Sequence, residues 1–164
     1  MNRISVWSGL AALLSIIPLV CAAHANKIDA RKKTVLTIEA PGKRADYNWF
    51  QLEDLPKTRF RTSTPWTEGR TRFEGVRLKD VLEVTGIKAR KLRAVALNAY
   101  FSEMLLADVE DSALIATHVD GKRISVRDKG PLWIIFPFDS RSELKSEVFY
   151  SRSVWQLRKI LVVE

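Results

Sequence analysis

The chain has 164 residues, of which 46% are hydrophobic and 28% charged, with a net charge of +8. One cysteine and two histidines leave almost nothing for disulfides, thiolate nucleophiles or Cys/His zinc sites. The basic excess points to anionic small molecules, an anionic membrane surface or an acidic protein partner, with a simple solvated basic surface as the alternative.

Arg3 precedes the apolar run VWSGLAALLSIIPLVCAA, and AHA at residues 23–25 reads as a small-x-small cleavage box. This predicts a secretory signal peptide over residues 1–25 and a single exported domain over residues 26–164, located in the periplasm. Cleavage there removes Cys21 and His24, leaving His118 as the one histidine and no thiol. Nucleic acid is not an expected partner of such a chain, and no metal site is expected.

The alternating, β-branched KTVLTIEA (33–40) predicts a strand ended by Pro41-Gly42. FQLEDLP (50–56) predicts one helical turn, and KTRFRTST (57–64) a second strand stopped by Pro65. In FEGVRLKDVLEVTGI (73–87), Val76, Leu78, Val81 and Leu82 recur near helical spacing, with Gly86 as C-cap. KLRAVALNAY reads as a strand, SEMLLADV as the next segment, and VEDSA (109–113) as a short helix. Asp120-Gly121 between β-rich flanks is the best hairpin signal. PLWIIFPF and SVWQLRKILVVE supply two more strands. The resulting class is α+β, with a mixed, mainly antiparallel sheet and short helices.

Three segments together resemble the sulfite-oxidase-type molybdopterin-binding domain. FEGVRLKDVLEVTGI resembles its W-x-G-V-P-L-x-D-L-L-x-x-A-G segment, and LIATHVDGKRISVRDKGPLWIIFPFD its N-G…G-P-L-R segment. RSVWQLRKILV resembles its closing K-S-V-K-W-L segment. The resemblance implies a sulfite-oxidase-like fold. In that family a cysteine after an early strand holds molybdenum; here the region reads RTSTPWTEG, with Ser63 or Thr64 near the cysteine position. A hydroxyl does not replace a thiolate as a soft metal ligand. Arg152 and Ser153 stand where the family has Lys and Ser, and Trp155 where it has a second Lys.

TPWT, LNAY, DGKRISVRDKGPLW and SRSVWQL are closer still to the small, exported, cysteine-free branch of the family. That branch resembles periplasmic pterin-binding regulators of membrane-bound enzymes that make or break cyclic di-GMP. The resemblance therefore implies a pterin as ligand, a periplasmic domain of a membrane-bound signalling protein as partner, and no catalysis. Molybdopterin is not the expected ligand on this reading. A molybdopterin-dependent oxidoreductase with an unusual ligand set is the alternative.

A pterin is flat, fused and polar, so its pocket needs an aromatic platform and a few fixed polar groups. Trp66 and Trp155 lie in the segments that flank the family's cofactor site and are the platform candidates, core packing being the alternative for each. Trp49 and Trp133 read as core. Asn98 offers a donor and an acceptor beside Tyr100, or else bonds its own backbone in a turn. Thr64 and Thr67 add hydroxyls, and Arg152 and Ser153 complete the closing segment. Asp128 suits the amino-pyrimidine edge, while Arg127 or Lys129 suits a carbonyl or an anionic group. The other reading of that triplet is a charged corner held by internal Arg–Asp pairing. His118 reads as an ordinary packed or solvated histidine.

Overall fold

The computed structural model describes residues 33–163. The expected signal peptide at residues 1–25, and Cys21 with it, lie outside the described residues.

Two five-stranded sheets carry the fold. The first has the order β2-β1-β10-β5-β6, built from β1 (Thr34–Ala40), β2 (Lys43–Asn48), β5 (Lys91–Ala96), β6 (Phe101–Leu105) and β10 (Leu157–Val162). Its β1–β10 pair is parallel and the rest are antiparallel. The second runs β3-β4-β7-β8, with β9 also on β7, and is antiparallel throughout. Its strands are β3 (Lys57–Ser63), β4 (Arg70–Arg77), β7 (Leu114–Val119), β8 (Lys122–Arg123) and β9 (Trp133–Ile135). The α+β class with a mixed, mainly antiparallel arrangement is therefore the observed one.

The inward residues of both sheets meet in one apolar core. Leu36, Ile38, Leu92 and Ile160 come from the first sheet and Phe73, Leu114, Ile115 and Ile134 from the second, all buried. Each contributes about 1.5–3 kcal/mol by leaving water. Lys91–Ala96 alternates half-buried and buried residues along its whole length, the period-2 signature of a strand with one face in a core.

Short helices cover the sheet ends: α1 (Trp49–Glu53), α2 (Leu78–Thr85), α3 (Leu106–Val109) and α4 (Glu147–Arg152). Asn48 and Gln51 form a capping box at the start of α1. As read from the sequence, α2 ends at Gly86, which takes a left-handed φ of 61°. The hairpin turn at Asp120-Gly121 has φ values of 47° and 80°.

Several boundaries differ from the sequence expectation. Phe73–Arg77 is strand, because Val76 pairs with Lys57 on one side and Ile115 on the other; the helical spacing only begins at Leu78. The short helix expected at residues 109–113 lies one turn earlier, at Leu106–Val109. β2 carried no sequence signal: KRADYN is charged, and it becomes a strand by pairing with β1. The strand expected through PLWIIFPF shrinks to Trp133–Ile135.

Three connections matter for function. They are the loop after β3 (residues 64–69), the segment between β8 and β9 (124–132), and the link from α4 to β10 (153–156).

Candidate functional site

The loop after β3 is pinned at both ends. Thr64 Oγ1 accepts from the Trp66 backbone N–H at 3.1 Å and lies 2.8 Å from Thr67 Oγ1, a local hydroxyl turn that sets the position of the indole. Upstream, the Ser63 N–H donates to Asp139 Oδ2 at 2.8 Å and the Asp139 N–H to Thr62 Oγ1 at 3.0 Å. Asp139 also meets Lys145 at 3.0 Å and Arg70 at 3.3 Å. The Ser63 N–H, followed by Lys145, holds the Asp139 carboxyl below its ordinary range.

Trp66, half-buried, is the hub of an aromatic cluster. Its ring centroid lies 5.7 Å from Trp133, 5.7 Å from Trp155, 5.8 Å from Tyr150 and 6.3 Å from Phe138. Trp66 and Trp155 meet at 75°, edge to face, so they do not form a parallel slot. Trp155 keeps 37% of its surface exposed, whereas Trp133 keeps 1% and donates its Nε1–H to the Ser153 carbonyl at 3.2 Å. The cluster thus grades from a buried indole, through a shared one, to one open to solvent.

The charged stretch 126–129 is a turn held by its own backbone. The Asp128 and Gly130 N–H groups both donate to the Ser125 carbonyl, at 3.1 and 2.8 Å. Gly130 is required there, since a Cβ would sit 2.2 Å from the Ile124 carbonyl oxygen. Gln156 ties the turn to the closing segment: its backbone N–H donates to the Lys129 carbonyl and its Nε2 to the Val126 carbonyl, both at 2.9 Å. No ion pair between Arg127 and Asp128 holds the corner; neither pairs with another described residue.

A cavity of about 300 Å³ lies against this turn, lined by Thr67, Lys122, Arg123, Asp128, Lys129 and Trp133 among others. The Lys129 ammonium stands 5.6 Å from the Trp133 ring centroid. A smaller cavity of about 180 Å³ is lined by Ser63, Thr64, Phe138, Lys145 and Tyr150. Together these surfaces offer aromatic faces, hydroxyls, one carboxylate and several ammonium groups. That inventory suits a ring-bearing, polar or anionic organic molecule.

The structure therefore brings together Thr64, Trp66, Thr67, Asp128, Lys129 and Trp155. The other sequence candidates stand as follows in the structure. Asn98 Oδ1 accepts from the Tyr100 N–H at 3.1 Å, a turn contact, and Tyr100 donates its hydroxyl to the Ser151 carbonyl at 2.9 Å. Arg127 is exposed on the turn. Arg152 reaches Asp108 at 3.0 Å and lies over the Phe149 ring at 5.3 Å. Ser153 is buried, with its hydroxyl on the Phe149 carbonyl at 2.9 Å. His118 Nδ1 lies 2.8 Å from Thr117 Oγ1.

Tyr150, Phe138, Asp139, Lys122 and Lys145 were not singled out from the sequence. Phe138-Asp139 directly follows the strand run, and its aromatic–acid ending was the one legible signal. Tyr150 has none, because it depends on α4, which the sequence reading does not predict.

In this α+β fold of two sheets, three loops gather aromatic rings, hydroxyls and ammonium groups into one region. The chain belongs to the oxidoreductase molybdopterin binding domain family, whose model matches residues 27–139. No curated protein sequence matches it. Among solved structures it is similar to the sulfane dehydrogenase SoxCD from Paracoccus pantotrophus, with a TM-score of 0.61 and 17% identity. That match covers 77% of this chain and 37% of the other, so the chain spans well under half the length of the dehydrogenase chain.

This membership corrects one sequence expectation. The missing metal-binding cysteine argues against molybdopterin as the ligand; the family match points to molybdopterin-type binding instead. The cysteine argument concerned the metal, and the family is defined over the whole domain. The donor set bears on the metal alone. Thr62 and Ser63 end β3 and Thr64 follows them, and the one described sulfur, Met104, is buried at 2% exposure. Among the described residues no three His, Cys, Asp or Glu side chains group to hold a metal ion. The residues fit the organic part of such a ligand and do not fit a molybdenum tied to the protein through sulfur.

Proposed function

We propose that this protein is a periplasmic, non-catalytic binding domain that takes a molybdopterin-type ligand by its pterin ring and relays occupancy to a membrane-bound cyclic di-GMP enzyme. The observation that carries this reading is a part-exposed indole, Trp155, whose neighbour Gln156 bonds the Lys129 carbonyl of the turn, beside a cavity lined by Thr67, Asp128 and Lys129, where β3 ends in hydroxyls rather than a thiolate. The ring stacks on the open indole face. Asp128 accepts from the two adjacent N–H groups of the amino-pyrimidine edge, and Lys129 meets a carbonyl or an acidic substituent. The signalling partner follows from the resemblance of TPWT, DGKRISVRDKGPLW and SRSVWQL to periplasmic regulators.

Two measurements test it. Acid iodine oxidation of the protein purified from its periplasm should release a fluorescent pterin, and tetrahydrobiopterin should raise the melting temperature, since a ligand that binds only the folded state must do so. Absence of both signals would refute ligand binding. Co-expression with a membrane-bound cyclic di-GMP enzyme should change its output only when the protein can bind; an unchanged output refutes the relay alone. The family description supports a second reading, as the domain of an oxidoreductase. Stoichiometric molybdenum in protein from molybdate-fed cells would favour that reading.

A further inference from the structure

A second cavity, about 630 Å³, shares the wall Ile124–Ser125 with the one described above and is otherwise lined by different residues. Its volume is that of a site for a small organic ligand.

Two β-bulges open the sheet toward it. On β1, Thr34 stands opposite Asn48 and Leu36 opposite Tyr47, so Val35 is an extra residue. On β10, Leu157 stands opposite Ala96 and Lys159 opposite Val95, so Arg158 is an extra residue. β1 and β10 are parallel neighbours, and both bulges fall near their starts, hence at the same end of the sheet. A bulge re-aims the side chain it inserts. Val35 and Arg158 both line the cavity.

Among the described residues the charge there is only partly neutralised. Arg158 and Lys33 form no ion pair with another described residue, although Lys159, the next residue along, is paired with Glu39 at 3.0 Å. Arg44, also in the lining, is held by Asp46 at 2.8 Å. The rest of the wall combines Trp49, Pro131 and the exposed Leu97 and Val126 with the hydroxyl residues Thr34, Thr37 and Ser125. Arg123 lies 4.3 Å over the Trp49 ring and is itself paired with Glu53, so that indole is held in place from behind.

We propose that this cavity is a separate binding site for a small amphipathic anion. The ligand has an apolar or aromatic body that rests on Trp49, Leu97 and Pro131. Its carboxylate or phosphate meets Arg158 and Lys33. The inference does not depend on what occupies the cleft at Trp66 and Trp155.

The probes are 1-naphthoate, 1-naphthyl phosphate and the neutral 1-naphthalenemethanol, titrated into the ¹⁵N-labelled protein and followed by amide chemical shifts. Saturable shifts are expected at Val35, Leu97, Ser125 and Arg158 with the two anions, and the tighter of the two names the acidic group. The neutral alcohol should bind at least tenfold more weakly. Arg158→Gln should weaken the anions at least tenfold, while Lys159→Gln leaves them unchanged. Both positions carry surface cations, and an unchanged melting temperature shows that each variant is folded. Equal binding of the alcohol, an Arg158→Gln variant that binds the anions normally, absence of saturable shifts, or shifts confined to Trp66, Lys129 and Trp155 would each overturn the proposal.

Discussion

The outer face of the first sheet and the turn at residues 126–129 are both densely charged, and they treat charge in opposite ways. On the sheet, Glu103 takes Lys91 at 2.5 Å and Arg93 at 2.6 Å, Glu39 takes Lys159 at 3.0 Å, and Asp46 takes Arg44 at 2.8 Å. Cross-strand pairing sets Glu103 beside Lys91 and Arg93, and Glu39 beside Lys159, while Asp46 and Arg44 share one face of β2 two residues apart. On the turn, Arg127, Asp128 and Lys129 project from a loop whose backbone already satisfies itself, and none forms an ion pair with a described residue. The net charge of +8 is therefore not spread evenly in effect. The sheet face presents a nearly balanced lattice, and the turn presents charge free to meet a ligand.

If the turn is a rigid display built on the core, damage beneath it should be the most costly change. Trp133→Ala removes an indole that is 1% exposed, underlies Lys129 and anchors Ser153. A loss of about 3–5 kcal/mol is expected for such a buried aromatic, read by urea unfolding. A loss under about 1 kcal/mol would mean that the cluster is not part of the core. Gly130→Ala comes next. Its Cβ meets the Ile124 carbonyl oxygen at 2.2 Å, and backbone must move to relieve the contact. The expected cost is about 1–3 kcal/mol, accompanied by weaker ligand binding because the turn moves with it. A Gly130→Ala variant of normal stability and normal affinity would separate the turn from the site.

The sequence carried the sheet well and the site unevenly. Strands with period-2 burial, such as Lys91–Ala96, and the Asp-Gly hairpin were legible because local pattern and tertiary burial agree there. β2 was not, because its partner, not its composition, makes it a strand. Trp66 and Trp155 were found through their motifs, but their edge-to-face contact depends on three loops meeting and has no local signature. Asn98 and Arg152 were chosen for chemistry that their side chains direct elsewhere, toward a turn N–H and Asp108. The bulges at Val35 and Arg158 were invisible, since a one-residue register shift belongs to a pair of strands.

A contrast between the part-exposed Trp155 and the half-buried Trp49 gives a smaller, selective effect. Trp155→Ala removes a stacking face that is 37% exposed. Ligand affinity should fall roughly tenfold, which is about 1.4 kcal/mol, with little loss of stability. Trp49→Ala, which strips the Arg123 contact on the other side of the Ile124–Ser125 wall, should lower stability and leave binding at the aromatic cleft intact. The checks are calorimetric titration of tetrahydrobiopterin and thermal unfolding. Identical behaviour of the two variants would show that the cleft is not where the pterin sits.

Acid should expose the smallest difference between the regions. Glu103 on the sheet face and Asp139 beside the site both titrate below their ordinary values of 4.5 and 3.8. For Glu103 the cause is first the bond from Lys91 and then that from Arg93; for Asp139 it is first the Ser63 N–H and then Lys145. A carboxyl whose folded pKa is depressed adds stability that is fully present above its unfolded value and is lost as pH falls through the folded one. Stability should thus decline below about pH 4.5, and both Glu103→Gln and Asp139→Asn should flatten that decline. They should differ in salt. The Glu103 contribution rests on exposed cations, so 1 M NaCl should largely erase it, with a screening length of about 3 Å. The Asp139 contribution rests first on a backbone N–H at 2.8 Å, which salt screens poorly, so it should persist. Denaturant melts from pH 2 to 7 at low and high salt read both effects. Equal salt sensitivity at the two carboxyls would mean that Asp139 is held by Lys145 and Arg70 as a surface pair, and that the end of β3 is not locked to the segment after β9 through Ser63.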